Sequence, residues 1–422
     1  MSDVAFGLSA GTLNDIAGTV YRRQYPRYFK DGRTFTKDGK EYSLSWDVRQ
    51  PPAFDLKSPV DRHRLAHDLL GDADPPGIGR DEVLRILSAS DRRDAFHVDL
   101  KQVDLTLTID GTPAHNTVSV RVVTSINGSG HKLVITPLSA KVSTGQQLPD
   151  WVYNEHVVPI VLEAARQLLA GMPLPIPTVA GIALGRPVAH VADDHLVITA
   201  NLSGKSLPTD EAGPWPATPF FAQLGPDTIR AVTDVGTRYL EGRTASPHDQ
   251  TGIGLGTAYY KATVALHGVR ADGRVSDDRT ITVSARVTGG GAAGINWFFG
   301  GSTDGFFALE LIPDPVADVR LDLDDAVLSA KTVHVGHVTL KLTPTRGDIV
   351  SAVLAWVTNA LSGLISPFVR QAMTGIRFDV YRVPTLHVDL EGVHFDVSPK
   401  DLDLSAHNGT VEITGRLHVA RR

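Results

Sequence analysis

Residues 148–184 read LPDWVYNEHVVPIVLEAARQLLAGMPLPIPTVAGIAL, and a strand-like run, DDHLVITANL, follows at 193–202. Val157, Val161, Leu162, Ala165, Leu168 and Leu169 recur there at helical spacing, which predicts one long amphipathic helix over about 149–172. Pro159 falls inside the stripe and predicts a kink or a break, because proline removes a backbone donor and crowds the carbonyl four residues back. Asp150, Glu155, Glu163 and Arg166 lie on the same helix, so it is not a bilayer span.

The same order returns in the second half. AVLAWVTNALSGLISPFV at 352–369 is the second long helix, and VPTLHVDLEGVHFDV at 383–397 follows it. Thr136–Pro137 and Thr343–Pro344 precede the two helices 207 residues apart, and Pro177–Thr178 and Pro384–Thr385 follow them at the same 207. Pro159 and Pro367 are 208 apart, and LVITANL at 196–202 matches VEITGRL at 411–417. Shorter stripes open each half: Leu13, Ile16, Ala17 and Val20, then Ile229, Val232, Val235 and Tyr239 on a helix over 226–240. Two related halves are therefore expected, 1–210 and 211–422, joined at a stretch holding Pro208, Pro214, Pro216 and Pro219. The first carries an insertion at about 30–90, with a hairpin at TFTKDGKEYSLSWDV and short helices around 61–70 and 80–88.

Between the helices the chain alternates. Phe96, Val98 and Leu100 change phase at Lys101–Gln102 and continue as Val103, Leu105, Leu107 and Ile109, as a bulge requires. Similar runs occur at 118–122, 264–266, 281–287, 319–323, 338–342, 386–390 and 411–417. Turns are expected at Asp110–Gly111, Asn127–Gly128, Asp272–Gly273 and Asn408–Gly409. One-sided alternation favours antiparallel sheets over a parallel α/β core. The fold class is α+β: two tandem related domains, each a long, highly twisted antiparallel β-sheet wrapped around a long α-helix.

The 422 residues are 42 % hydrophobic and 21 % charged, carry a net charge of −6 and include no cysteine. General disorder is excluded, as are disulfides and thiolate chemistry. The absence of a basic block argues against a nucleic-acid partner. The start, MSDVAFGLSAGTL, has no signal-peptide pattern, so a cytoplasmic location is the default expectation, with non-classical export left open. Residues 349–369 are uncharged and long enough to span a bilayer, but their polar residues and flanking strands favour a helix buried on most of its circumference.

No chemical motif carries a strong signal. Gly7-Leu8-Ser9-Ala10-Gly11 matches a nucleophile elbow, but there is little room for a strand before it, and Ser9 or Thr12 reads as a helix cap. Gly252–Gly256 and the glycines at 289–294 resemble phosphate loops without the Walker lysine and are expected to be flexible loops. His63 and His67 share a helical face but lack the zinc-protease glutamate. His334 and His337 are expected at the surface, and Asp322, Asp324 and Asp325 on an outer strand face. No metal and no cofactor is expected.

The duplicated order, and above all the passages at 148–184, 193–202, 352–369 and 383–397, resemble the tubular lipid-binding (TULIP) superfamily. The resemblance spans nearly the whole chain and lies in pattern and order. It implies a boomerang of two barrels joined by a central sheet, and lipid binding in apolar pockets. Secreted animal members carry a signal peptide and usually a disulfide, whereas here the first residues are read as having no signal-peptide pattern and there is no cysteine; signal-less bacterial relatives, including accessory proteins of clostridial neurotoxin clusters, fit better.

The expected function is non-enzymatic binding, with transfer as an extension, of lipids or other elongated hydrophobic ligands between helices and sheet. A fatty-acyl ligand of about 16 carbons would gain about 12 kcal/mol gross at ~0.8 kcal/mol per methylene. Helical spacing selects Leu13, Ile16, Val20, Val161, Leu162 and Leu169 as lining residues in the first half. In the second it selects Ile229, Val232, Val353, Val357, Leu361, Leu364 and Phe368. Transient membrane contact and protein partners are further expectations. The alternatives are a structural or interaction subunit of a larger, toxin-associated assembly with filled barrels, and a lipid hydrolase using Ser9.

Overall fold

Ser9 stands where strand gives way to helix. Its hydroxyl accepts the Thr12 backbone N–H at 3.2 Å and caps α1 (Ala10–Gln24), as the cap reading expects. Immediately before it, β1 (Val4–Ser9) is a full strand, contrary to the expectation that too few residues precede it. Six residues suffice because β1 is paired on both sides. The computed structural model describes residues 2–61, 65, 94–129, 132–143, 148–170, 179, 182–206, 215–238, 240–347, 351–374, 377–390 and 393–421. The two short helices expected around 61–70 and 80–88, with His63 and His67, lie outside the described residues, Leu65 excepted.

After α1 come β2 (Lys30–Lys37), β3 (Lys40–Val48), β4 (Ala53–Asp55), β5 (Ala95–Ile109), β6 (Thr112–Ser129) and β7 (Lys132–Ser143). The long helix α2 consists of Asp150–Val152, a π-helical turn Tyr153–Val157, and Val158–Ala170; β8 (Val188–Ala192) and β9 (His195–Ala200) follow. The second half begins with β10 (Phe220–Leu224) and α3 (Pro226–Arg238), then β11 (Thr244–Ala245), β12 (His248–Gly252), β13 (Gly256–Ala271) and β14 (Thr280–Trp297). It continues with β15 (Ser302–Ile312), β16 (Val316–Asp324), β17 (Val327–Val335), β18 (Thr339–Gly347) and α4 (Ser351–Thr374). The last strands are β19 (Arg377–Arg382), β20 (Leu386–Leu390), β21 (Val393–His407) and β22 (Thr410–Arg421).

Every pairing between these strands is antiparallel. The first sheet runs β2-β3-β5-β6-β7 with β4 on β5, so the hairpin read as part of an insertion is built into it. The second holds β11 to β19. A central sheet, β20-β21-β22-β10-β1-β9-β8, takes strands from both halves. Where β1 meets β10, contacts recur at a constant spacing. Thr12 Oγ1 donates to the Pro219 carbonyl at 2.8 Å, and Thr228 Oγ1 donates to the Asp3 carbonyl at 2.7 Å. The backbone repeats this: Ser9 N–H donates to Pro219 and Gly225 N–H to Asp3. Donor and acceptor each move by 216 residues.

Local rules account for most details. The β5–β6 ladder slips between Leu100 and Val103, where the phase change falls. Asp38–Gly39, Asp110–Gly111 and Asn408–Gly409 have positive φ at both residues, as two-residue hairpins require. Asn127–Gly128 is a correction: both lie inside β6, paired with Val134 and Leu133. Pro159 does not break α2, because the π turn just before it widens the backbone and the Val158 N–H reaches back to the Tyr153 carbonyl. Pro367 is likewise carried within α4.

Two further expectations are corrected. The glycines at 289–294 are not a loop but lie within β14. A Cβ on Gly289 would stand 2.2 Å from the Thr263 carbonyl oxygen, and one on Gly291 would stand 2.3 Å from that of Lys261. Without side chains there, β14 approaches β13 closely and the sheet can curl. The helix α4 is buried on one face only. Val353, Val357, Leu361, Ile365 and Val369 meet the second sheet, while Ala352, Ala355, Asn359, Gly363 and Pro367 are exposed. It is long and apolar enough to cross a membrane by length and composition, with mean hydropathy 1.6. The sheet covers one side of it, so the stripe follows steps of four residues instead of closing round the helix.

Candidate functional site

The first sheet faces α1 and α2 across an apolar cavity. Its walls come from the inward positions of each strand: Leu44, Trp46 and Val48 of β3, Phe54 of β4, Val98, Leu100, Val103 and Leu105 of β5, Val122 and Thr124 of β6. Ala17 and Val20 of α1 close one side, and Val157, Ile160, Val161, Ala164 and Ala165 of α2 the other. Tyr28, Phe29 and Pro52 complete the lining. The space open to the centre of a water molecule is about 100 Å³. Half-buried Tyr28, Trp46, Pro52, Ala164 and Ala165 form the rim, so the cavity opens beside α2.

Polar contacts hold the walls from outside. The Asn14 side chain clamps the Phe54 backbone, accepting its N–H at 2.6 Å and donating to its carbonyl at 3.4 Å. Tyr21 Oη donates to the Val48 carbonyl at 2.8 Å. These bonds fix α1 to β3 and β4. At the far end the β2–β3 hairpin grips the start of α2: Lys37 pairs with Glu155 at 2.7 Å, and Phe35 stacks on His156 at 3.7 Å. Charges stay on the outer face of the sheet, where Arg49 pairs with Asp104 and Arg121 with Asp99, each at 2.7 Å. The Arg49 hydrogen bond holds the Asp104 carboxyl below its ordinary range. Burial pushes the His97 and His156 imidazoles down.

One lining residue is a polar exception with no partner. Thr124 is fully buried, and its hydroxyl makes no hydrogen bond. It lies where the β6–β7 ladder slips, opposite Pro137, which has no N–H to offer. The second half has the same irregularity: the β15–β18 ladder slips at Phe307, opposite Pro344. There the residue is a phenylalanine, 2 % exposed, in a core with Tyr260, Leu309, Val357 and Leu361. A threonine leaves space where a phenylalanine fills it.

The thirteen expected lining residues divide accordingly. Val20 and Val161 line the cavity. Leu13, Ile16 and Leu162 are buried but lie behind the wall, and the Leu169 side chain is outside the described residues. Ile229 and Val232 are buried under α3 and do not reach this cavity. Val353, Val357 and Leu361 sit in the packed second core, with Phe368 half-buried at its edge. Leu364 is a correction: it is 48 % exposed, because the buried stripe continues through Ile365. The strand lining was missed as a site. Its signal was the alternation of Leu44, Trp46 and Val48, read only as part of a hairpin, and of Val98 and Leu100, read only as a strand pattern.

Ser9 is held as the N-cap of α1. Its hydroxyl is engaged with Thr12. His195, opposite it in the β1–β9 ladder, has both ring nitrogens against backbone carbonyls, Asp193 at 2.7 Å and Thr218 at 2.8 Å. Among the described residues no three His, Asp or Glu side chains come together to hold a metal.

Curled antiparallel sheets with few helices, joined through a shared central sheet, are consistent with the TULIP-like fold that the sequence resemblance implies. Three solved structures are similar over essentially the whole chain. P47 of Clostridium botulinum E1 has 8 % identity and a TM-score of 0.46, covering 99 % of each chain. P47 from Clostridium botulinum A2 has 6 % identity and a TM-score of 0.44, covering 98 % of this chain and 97 % of that one. A lipopolysaccharide binding protein has 10 % identity and a TM-score of 0.35, covering 100 % of both. No protein-family model and no curated protein matches the sequence.

Proposed function

We propose that this chain is a non-enzymatic binder of one fatty-acyl chain, or an apolar ligand of similar shape, held in the cavity of the first half. The observation that supports it is the lining: aliphatic and aromatic side chains on every wall, with Thr124 the one hydroxyl that has no partner. Such a space favours methylene groups at ~0.8 kcal/mol each and gives an ion nothing to bind. Organic extraction of the purified protein, followed by mass spectrometry, tests it. Ala164→Trp, at the rim, should lower the recovered ligand and the uptake of a fluorescent fatty acid. Stoichiometric ligand recovered equally from that variant would overturn the proposal.

A second function has support in the other half. There Val357, Leu361 and Tyr260 are sealed in a filled core, so that half serves as scaffold or interaction surface. We take the two halves as a duplicated unit, on the strength of the hydrogen bonds that recur 216 residues apart at the β1–β10 seam. In this account one copy kept the cavity and the other filled it.

A further inference from the structure

The second sheet ends in two adjacent turns that carry large apolar side chains into solvent. One is Gly252-Ile253-Gly254-Leu255-Gly256 between β12 and β13; the other is Trp297-Phe298-Phe299-Gly300-Gly301 between β14 and β15. Phe298 is 72 % exposed, Phe299 77 %, Leu255 65 % and Ile253 41 %. These turns are held. The Phe298 N–H donates to the Leu255 carbonyl at 3.1 Å and joins one turn to the other. Trp297 stacks on Phe299 at 5.6 Å, and its indole N–H donates to Thr303 at 3.1 Å.

Their place in the molecule is distal. The opposite end of the β13–β14 hairpin touches the centre: Gly273 abuts Arg230 of α3, and Asp277 faces His407 of β21 at 3.8 Å. Eighteen residues of β14 separate the two ends, about 60 Å of strand. The turns therefore form the outer tip of the second half. They carry no charged residue across 250–260 and none across 287–303.

We propose that this tip is a membrane-docking element that enters the interface of a neutral phospholipid bilayer. Two observations choose a bilayer over a protein partner. The four exposed side chains offer roughly 500 Å², short of the about 800 Å² a side of a stable protein interface. They also point outward from two convex turns, which suits a soft phase that can close round them. The lack of basic residues on the turns makes anionic headgroups unnecessary, so docking depends on apolar partition. This goes beyond the cavity: the tip docks whether or not the cavity holds a ligand.

Co-sedimentation of the full chain with phosphatidylcholine vesicles tests it, at about 0.05 and 0.5 M NaCl. The wild type should bind equally at both salts, and brominated phosphatidylcholine should quench Trp297. Phe298→Ser with Phe299→Ser should lower the partition coefficient about 30-fold or more, with an unchanged circular dichroism spectrum. Val333→Ser, an exposed position on β17 (54 %), should leave it unchanged. Absent wild-type binding, an unaffected double variant, or binding confined to anionic vesicles at low salt would each overturn the proposal. So would a wild-type dimer that the double variant turns into a monomer, since the tip would then be a protein contact. Failure here leaves ligand extraction intact, and the reverse also holds.

Discussion

Replacing Thr124 with valine should make the ligand-free protein more stable. A buried hydroxyl without a partner costs about 1–3 kcal/mol, and Thr124 is fully buried, unpartnered and opposite a proline. Valine keeps the branched shape and removes the polar atom. Thr124→Val should therefore gain about 1–2 kcal/mol, once a small loss for imperfect packing is allowed. Binding responds according to ligand. One that uses the hydroxyl loses about 0.5–1.5 kcal/mol, roughly 2- to 13-fold in affinity, whereas a plain hydrocarbon loses nothing. Urea titration of delipidated wild type and variant, followed by far-ultraviolet circular dichroism, measures the first effect; titration with a fluorescent fatty acid and with an alkane measures the second. A variant less stable than wild type by more than about 1 kcal/mol would show that the hydroxyl is bonded after all, and the reasoning about the empty space would fall. Thr124→Phe, which copies Phe307, should abolish uptake of the fluorescent fatty acid.

Other outcomes follow from contacts described above. Asn14→Ala removes both bonds to the Phe54 backbone and should cost about 1–3 kcal/mol in thermal or urea unfolding, with faster release of bound fatty acid. Gly291→Val places a Cβ against the Lys261 carbonyl and the Ala262 Cα; it should cost more than about 3 kcal/mol or prevent soluble expression. Burial depresses the His97 and His156 imidazoles in the folded protein, so the unfolded chain takes up protons first as the pH falls. Their contribution is complete above about pH 6.5 and is lost as the pH drops through the folded values. The urea midpoint should decline between pH 7 and pH 5, and His97→Gln should flatten that decline.

Much of the fold is written in periodicity. The slip at Lys101–Gln102, the four described helices and the hairpins at Asp38–Gly39, Asp110–Gly111 and Asn408–Gly409 follow from spacing and from backbone preferences that act locally. What spacing cannot reveal is which buried stripe meets empty space. Val161 and Val357 have the same character on their helices, yet one faces a cavity and the other a filled core. The difference comes from the strands opposite, through Thr124 and Phe307, and only the paired register brings those positions into view. The glycines of β14 misled for a related reason. Glycine runs usually mark loops, but here close approach of the neighbouring strand requires them. The early strand β1 was hidden because its stability comes from partners about two hundred residues away.

The position of β1 in the middle of the central sheet has a consequence for synthesis. A nascent chain that has emerged as far as residue 206 can pair β1 with β9, but the other edge, Val4 to Leu8, has no partner until 220–224 is made. A fragment stopped there would expose a bare rim of amides and carbonyls. Because β10 lies antiparallel to β1, a second fragment's own β1 can take its place about a twofold axis. Truncated first halves should accordingly accumulate as pairs, and the intact chain is spared this because it carries its own counterpart.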